Sequence, residues 1–272
     1  MKDLHKGREN NGVLTGAVLK NAAYVSMFID HFFAVVFLNY MRLHPIDGAW
    51  DPKLEPIYRA GRAVGRIAFI LFAFLIVEGF LRTRSRVRFL LRLFLFALLS
   101  EIPFDLAFSG NVIDWKSQNV YWTLLLGVLV LTAWEYLSHY GRVLTVAGRI
   151  VIVTAACAAA FCGATDYRFM GILLILTFYL TREKKCGVRF VAVGLIMLFG
   201  TWGSNLIRYT GKYAADYLFR FSMREMYGLL AFLLIFLYNG KRGRQLPKPF
   251  YYGFYPLHLL LLYGVARMIG VM

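Results

Sequence analysis

The chain has 272 residues, 59% of them hydrophobic, and a formal net charge of +16. Apolar runs of about 17–25 residues, enough to cross about 30 Å of hydrocarbon, recur along it, and no stretch is polar enough for a separate soluble domain. This composition excludes an ordinary soluble enzyme and predicts one all-α integral-membrane domain over residues 1–272.

In chain order, residues 1–17 are polar and basic, without a small-residue cleavage site after the first apolar run. Nine membrane spans are predicted near 18–39, 64–81, 89–108, 119–137, 147–163, 167–181, 188–207, 223–238 and 253–271. The sixth is short, and 208–222 also reads as an interfacial helix, so eight to ten spans remain open. Basic loops at 82–88, 139–149, 181–189 and 240–248 fall on the same side as the N-terminus, which predicts a cytoplasmic N-terminus and an external C-terminus. On the other side Arg42, Lys53, Arg59 and Arg62 are mixed with Asp47, Asp51 and Glu55. The charge thus reads as topology signals and lipid-headgroup contacts, with the bilayer as partner and no nucleic acid. Cys157, Cys162 and Cys186 have neither disulfide nor metal spacing, and no metal is expected.

A charge at mid-bilayer costs at least about 2.5–3.5 kcal/mol, so ionisable residues inside spans are candidate functional groups. Asp30 and His31 lie side by side past the middle of the first span, where no helix end needs a cap. About 100° apart on a helix, they cannot both face one spot. Arg66 opens the second span and Glu78 closes it; Glu101 and Asp105 share one face of the third, with Pro103 between them as a predicted kink. Gln118 and Asn119 begin the fourth span, Asp166 precedes the sixth, Arg224 and Glu225 begin the eighth, and Tyr255 and His258 lie in the ninth. The topology gathers Asp30, His31, Arg66, Glu101, Asp105, Gln118, Asn119, Asp166 and Arg224 in the outer half, whereas Glu78 and His258 fall towards the cytoplasm. Structural roles stay open: Arg66 snorkelling or paired with Glu101, His258 a packing residue, Gln118, Asn119 and Asp166 as caps. Walker, dinucleotide-binding, G-x-S-x-G and H-E-x-x-H motifs are absent, and "RAGRAVGR" at 59–66 leads straight into a span rather than forming a phosphate loop. Two carboxylates and a histidine near a wet cavity suit either a proton relay in transport or a general base in acyl transfer.

The strings "FIDHFF", "GRIAFILFAFLIVEGFLRTRSRVRFLLRLFLFALLSEIPFDLAF", "QNVYWTLLLG", "YNGKRG" and "FYYGFYPLHLLLL" resemble the TraX family of bacterial membrane proteins, densely over 24–127 and again over 227–263. That resemblance implies an acetyltransferase of the bacterial cytoplasmic membrane, because the founding member is associated with N-acetylation of pilin, and the family is similar to multi-span acyltransferases that use cytosolic acyl-CoA. It implies acetyl-CoA as donor, His31 as base with Asp30 as its partner, and Arg66 as a phosphate or thioester-oxygen contact. Glu78, Glu101, Asp105, Gln118, Asn119, Tyr255 and His258 would line the site, and Arg84, Arg86 and Arg88 would recruit the donor. The acceptor, an amine or a hydroxyl, is left open. So is the route from a cytoplasmic donor to an outer-half histidine, by a threaded pantetheine arm or an acetyl-enzyme. A proton-coupled transporter and a non-catalytic assembly factor are the rival readings.

Overall fold

The computed structural model describes residues 12–208 and 224–272; residues 1–11 and most of the expected interfacial helix at 208–222 lie outside them. Among the described residues all regular structure is helical: α1 (Gly16–Leu43), α2 (Leu54–Arg82), α3 (Arg86–Ser109), α4 (Val120–Leu137), α5 (Arg142–Cys162), α6 (Arg168–Leu180), α7 (Cys186–Arg208), α8 (Glu225–Phe236) and α9 (Lys248–Met268). By length and composition five of these can cross a membrane, namely α1, α2, α4, α5 and the Cys186–Gly203 part of α7, while α6 and α8 are shorter apolar helices. The chain is a helical membrane protein.

Successive helices run back and forth between two ends. At the basic end the entry to α1 is stitched to the exit of α8, with Leu14 N donating to Leu237 O (2.8 Å) and Gly16 N to Lys241 O (2.8 Å). Arg82 Nη2 reaches Gly240 O (2.9 Å) there, and Arg86 and Tyr179 both meet the carboxylate of Glu135. At the far end Gln118 N donates to Ala164 O (3.1 Å) and Asp166 N to Gln118 O (3.0 Å).

α2 runs through the middle. Ala68, Phe69, Ile70, Leu71, Ala73, Phe74, Val77 and Phe80 are all buried, covering most of its circumference, as befits a helix enclosed by others. α5 is peripheral. Only Ala156 and Ala160 are buried on it, whereas Val143, Leu144, Ile150 and Val151 are exposed, an apolar face suited to lipid.

Three local features position the site. α1 widens into a π-helical turn over Phe32–Phe37, directly after His31. α3 is capped by Ser85, whose Oγ accepts from Arg88 N (3.3 Å), runs unbroken through Pro103, and stops at Gly110, whose φ of +73° suits a residue without Cβ. α9 starts at Lys248 rather than near 253, with prolines at its first turn where no backbone donor is needed. The earlier start lowers His258 from the mouth of the span to its middle, which corrects its expected place near the basic end.

Candidate functional site

The adjacent pair on α1 diverges as the helical angle requires. Asp30 turns towards α2, where Arg66 Nη2 lies 2.8 Å from each of its carboxylate oxygens and Arg62 Nη1 lies 3.0 Å from Oδ2. Arg62 also donates to the Asp30 backbone carbonyl (3.1 Å). The two arginines are one turn apart on α2, so both reach the same carboxylate. Gly61 and Gly65 make the approach possible: a Cβ on Gly65 would run into the Asp30 side chain, and one on Gly61 into the Phe33 ring. Ser26 Oγ closes the same contact by donating to Val64 O (2.7 Å). The glycines of "RAGRAVGR" therefore form a small-xxx-small helix-packing face.

Arg66 also faces Glu225 at the start of α8, 3.4 Å from both of its carboxylate oxygens, and its guanidinium lies over the Tyr167 ring at 5.8 Å. The alternative pairing of Arg66 with Glu101 is thereby overturned. Asp166, in the loop before α6, completes the cluster. Burial pushes its carboxyl up to about 6; Arg66 and Arg62 oppose that rise, while Asp30 and Glu225 add to it. Its Oδ1 accepts from the neighbouring Tyr167 N (3.1 Å) and does not cap α6.

His31 turns the other way, towards α9. Its Nδ1 lies 2.6 Å from Nε2 of His258, and the rings are 11° from parallel. His258 Nδ1 in turn lies 2.8 Å from the Phe254 carbonyl oxygen. The edges of Tyr255 and Phe108 close around His31, with ring centroids 5.9 and 5.6 Å away. Both histidines are buried, 8% and 4% exposed. One turn before Phe108 on α3, Asp105 receives Asp114 N on Oδ2 (2.9 Å), while its buried Oδ1 has no hydrogen-bond partner among the described residues, nor does the buried Ser100 hydroxyl.

The remaining predicted residues are dispersed. Glu101 ties α3 to α4, accepting from Trp122 Nε1 (2.8 Å) and from the Asn119 side chain. Asn119 caps α4 through Tyr121 N (3.0 Å), the open structural role rather than a place in the histidine site. The Gln118 side chain folds back onto the Ser117 carbonyl (3.2 Å). Glu78 sits at the basic end with Arg82 (2.6 Å) and the Tyr238 hydroxyl (3.1 Å), far from His31 along the bundle. Of the three loop arginines, Arg86 is paired with Glu135, whereas Arg84 and Arg88 line a cavity of about 180 Å³ with Thr83, Ser85 and Arg92. Arg62, Asp166 and Glu225 are the members of the buried cluster that sequence reasoning left outside the site. The i, i+4 arginines beside a small-xxx-small pair were the available signal for Arg62.

A family model described as "TraX protein" matches residues 15–266, spanning both the arginine-clasped Asp30 and the histidine pair. The chain belongs to the TraX family. Among curated proteins it is similar to "Probable fimbrial assembly protein FimC, serogroup H1" of Dichelobacter nodosus, 28% identical over 259 residues, 90% of this chain and 92% of that protein. No solved structure matches it.

Proposed function

We propose that this TraX-family chain is an acetyltransferase of the bacterial cytoplasmic membrane, crossing it nine times with the basic end in the cytoplasm, and that His31 is its general base. The observation that carries the reading is the buried His31–His258 contact at mid-bundle. Asp30 already has its counter-charges in Arg62 and Arg66, so the imidazole is not needed to neutralise it. An imidazole nitrogen removes the proton from an acceptor amine or hydroxyl as that atom attacks the thioester carbonyl of acetyl-CoA. The tetrahedral intermediate then expels the thiolate of CoA, and the imidazolium returns the proton to it. The arginine clasp holds α1 and α2 in register behind the base, a different task from the phosphate contact first expected of Arg66.

The donor's phosphates suit the basic end, where Arg84, Arg88 and Arg92 surround one cavity and pair with no described carboxylate. The relative's name makes a fimbrial subunit the first acceptor to try. The buried cluster of Asp30, Arg62, Arg66, Asp166 and Glu225 favours one second reading, proton-coupled transport. Calorimetry with acetyl-CoA on detergent-purified protein, followed by transfer of labelled acetyl to candidate amines, separates the two. The expected result is saturable binding by wild type and a His31→Ala variant that remains folded, binds acetyl-CoA and transfers about 10²–10⁴-fold more slowly. A well-folded wild type that neither binds acetyl-CoA nor transfers acetyl, but moves protons in proteoliposomes, would replace acyl transfer with transport.

A further inference from the structure

We propose that His258 is a positioning residue that fixes the tautomer of His31 and leaves its Nε2 as the basic nitrogen. For its chemical consequence this rests on the acyl-transfer reading; the tautomer itself does not.

The Phe254 carbonyl oxygen, 2.8 Å from His258 Nδ1, can only accept, so that nitrogen carries a hydrogen. A neutral imidazole has a single N–H, so His258 Nε2 presents a lone pair. That lone pair faces His31 Nδ1 at 2.6 Å, in rings only 11° from parallel, and two lone pairs at this distance would repel. His31 Nδ1 therefore holds the hydrogen and donates it to His258, and His31 Nε2 is bare.

No described carboxylate pairs with His31 to hold a second proton on its ring. Asp30, the carboxylate nearest in sequence, is turned onto Arg62 and Arg66, and the other groups around His31 are Phe108 and Tyr255. The i, i+4 spacing of Phe254 and His258 supplies the anchoring carbonyl from the histidine's own helix, so the orientation of α9 is transmitted to the base on α1. During transfer Nε2 takes the acceptor's proton, and the imidazolium Nδ1–H is already donated to His258, which spreads the new charge over two rings. The dyad gains one proton from the acceptor and returns it to the departing thiolate. For a base oriented by its neighbour, the wrong tautomer leaves a hydrogen where the lone pair must be.

Nitrogen-15 NMR of histidine-labelled protein in nanodiscs tests this without any substrate. The chain has five histidines, so His31 can be assigned by its loss in His31→Ala. The expected wild-type state of His31 is the Nδ1–H tautomer. In His258→Phe the donor loses its acceptor and His31 is expected to revert to Nε2–H, while His258→Gln, whose amide oxygen can accept, is expected to keep the wild-type tautomer. With transfer assayed beside it, His258→Phe should lower kcat by about 100-fold with KM for acetyl-CoA within about twofold, and His258→Gln should recover most of the loss. An Nε2–H tautomer in wild type, or a His258→Phe variant with unchanged tautomer and kcat, would overturn the assignment. An intact tautomer with no acetyl transfer to any acceptor would sustain the positioning role and remove the acyl-transfer reading.

Discussion

Asp30 and His31 differ by one peptide bond and sit in two different chemical worlds. Asp30 is held by two arginines in the interior, with side chains 14%, 10% and 12% exposed for Arg62, Arg66 and Asp30. Removing one charge from a buried set costs more than the set contributes, because the remaining ions stay desolvated without compensation. Asp30→Asn is therefore expected to lower stability by about 3–5 kcal/mol, read as a large fall in the unfolding midpoint in detergent, whereas His31→Ala, which leaves the buried His258 nitrogen unpaired, should cost less, about 1–3 kcal/mol. Equal losses in the two variants would show that the pair forms one structural unit. Asp166 gives a separate signature. Its carboxyl is raised from 3.8 to about 6, so between pH 4 and 6 the folded state holds more protons than the unfolded one, and stability falls as pH rises through that window. Below pH 4 both states are protonated and the contribution is fully present. Asp166→Asn should flatten this part of the profile, with the wild-type-minus-variant difference in midpoint changing between pH 4 and 6 and constant on either side of that window. Sequence reasoning found Asp30 and His31 and their divergence, because a carboxylate and an imidazole in an apolar run have no local explanation. It could not find the partners: Glu225 is 159 positions from Arg66 and His258 is 227 from His31, and no periodicity reports contacts of that range.

At the level of whole helices, the decisive object is the α1–α2 interface. Gly61 and Gly65 lie one turn apart and face Phe33 and Asp30, so the backbone of α2 comes close enough for Arg62 and Arg66 to clasp the carboxylate from the same helix. Without a hydrophobic driving force between helices in lipid, such small residues set the distance of closest approach. Gly65→Ala would place a methyl group against the Asp30 side chain, from its Cβ to Oδ1, whose carboxylate is held in place by Arg62 and Arg66. It should push the two helices apart and reproduce most of the Asp30→Asn destabilisation, whereas Gly141→Ala, where an added Cβ meets nothing within 4 Å, should cost little. Thermal unfolding of both variants in one detergent checks this, and a Gly65→Ala variant as stable as wild type would show that the interface yields. The existence and order of the helices were legible from apolar runs punctuated by arginine clusters. The start of α9 was not, because "KPFYYG" is less apolar than the run after it, yet its prolines fit a first helical turn. That shift of five positions (253 against 248) is why His258, already expected to line the site, was expected towards the cytoplasmic face and not beside His31. The π-helical turn after His31 also has no sequence signature in "FFAVVF".

Across the whole molecule, charge and topology bear on the same question, which end faces the cytoplasm. The raw count is ambiguous, since Arg42, Lys53, Arg59 and Arg62 all lie towards the far end. Structure sorts them: Arg59 is tied to Glu55 and Arg62 is enclosed against Asp30, so neither offers a free charge to a membrane surface. At the basic end Arg84, Arg88, Arg92, Lys184, Lys185, Lys241, Arg242 and Arg244 pair with no described carboxylate. The asymmetry in free positive charge is thus greater than the asymmetry in composition, which under the positive-inside rule supports the proposed orientation with the basic end in the cytoplasm. In a background with Cys157, Cys162 and Cys186 replaced by serine, single cysteines at the exposed positions Ala49 and Ser117 should react with an impermeant maleimide in intact cells. Cysteines at Ser138 and Lys184 should react only after permeabilisation. The reverse pattern would turn the arginine-lined cavity away from cytosolic acetyl-CoA and leave the histidine pair without a donor on its accessible side. The expected pattern leaves the donor at one end and His31 about halfway along α1, roughly 22 Å from its first residue at 1.5 Å per residue. Transfer then requires the thioester to penetrate the bundle along the seam between α1 and α9, where Lys20 lies over the Tyr251 ring and Tyr24 donates to the Tyr251 carbonyl below the histidine pair.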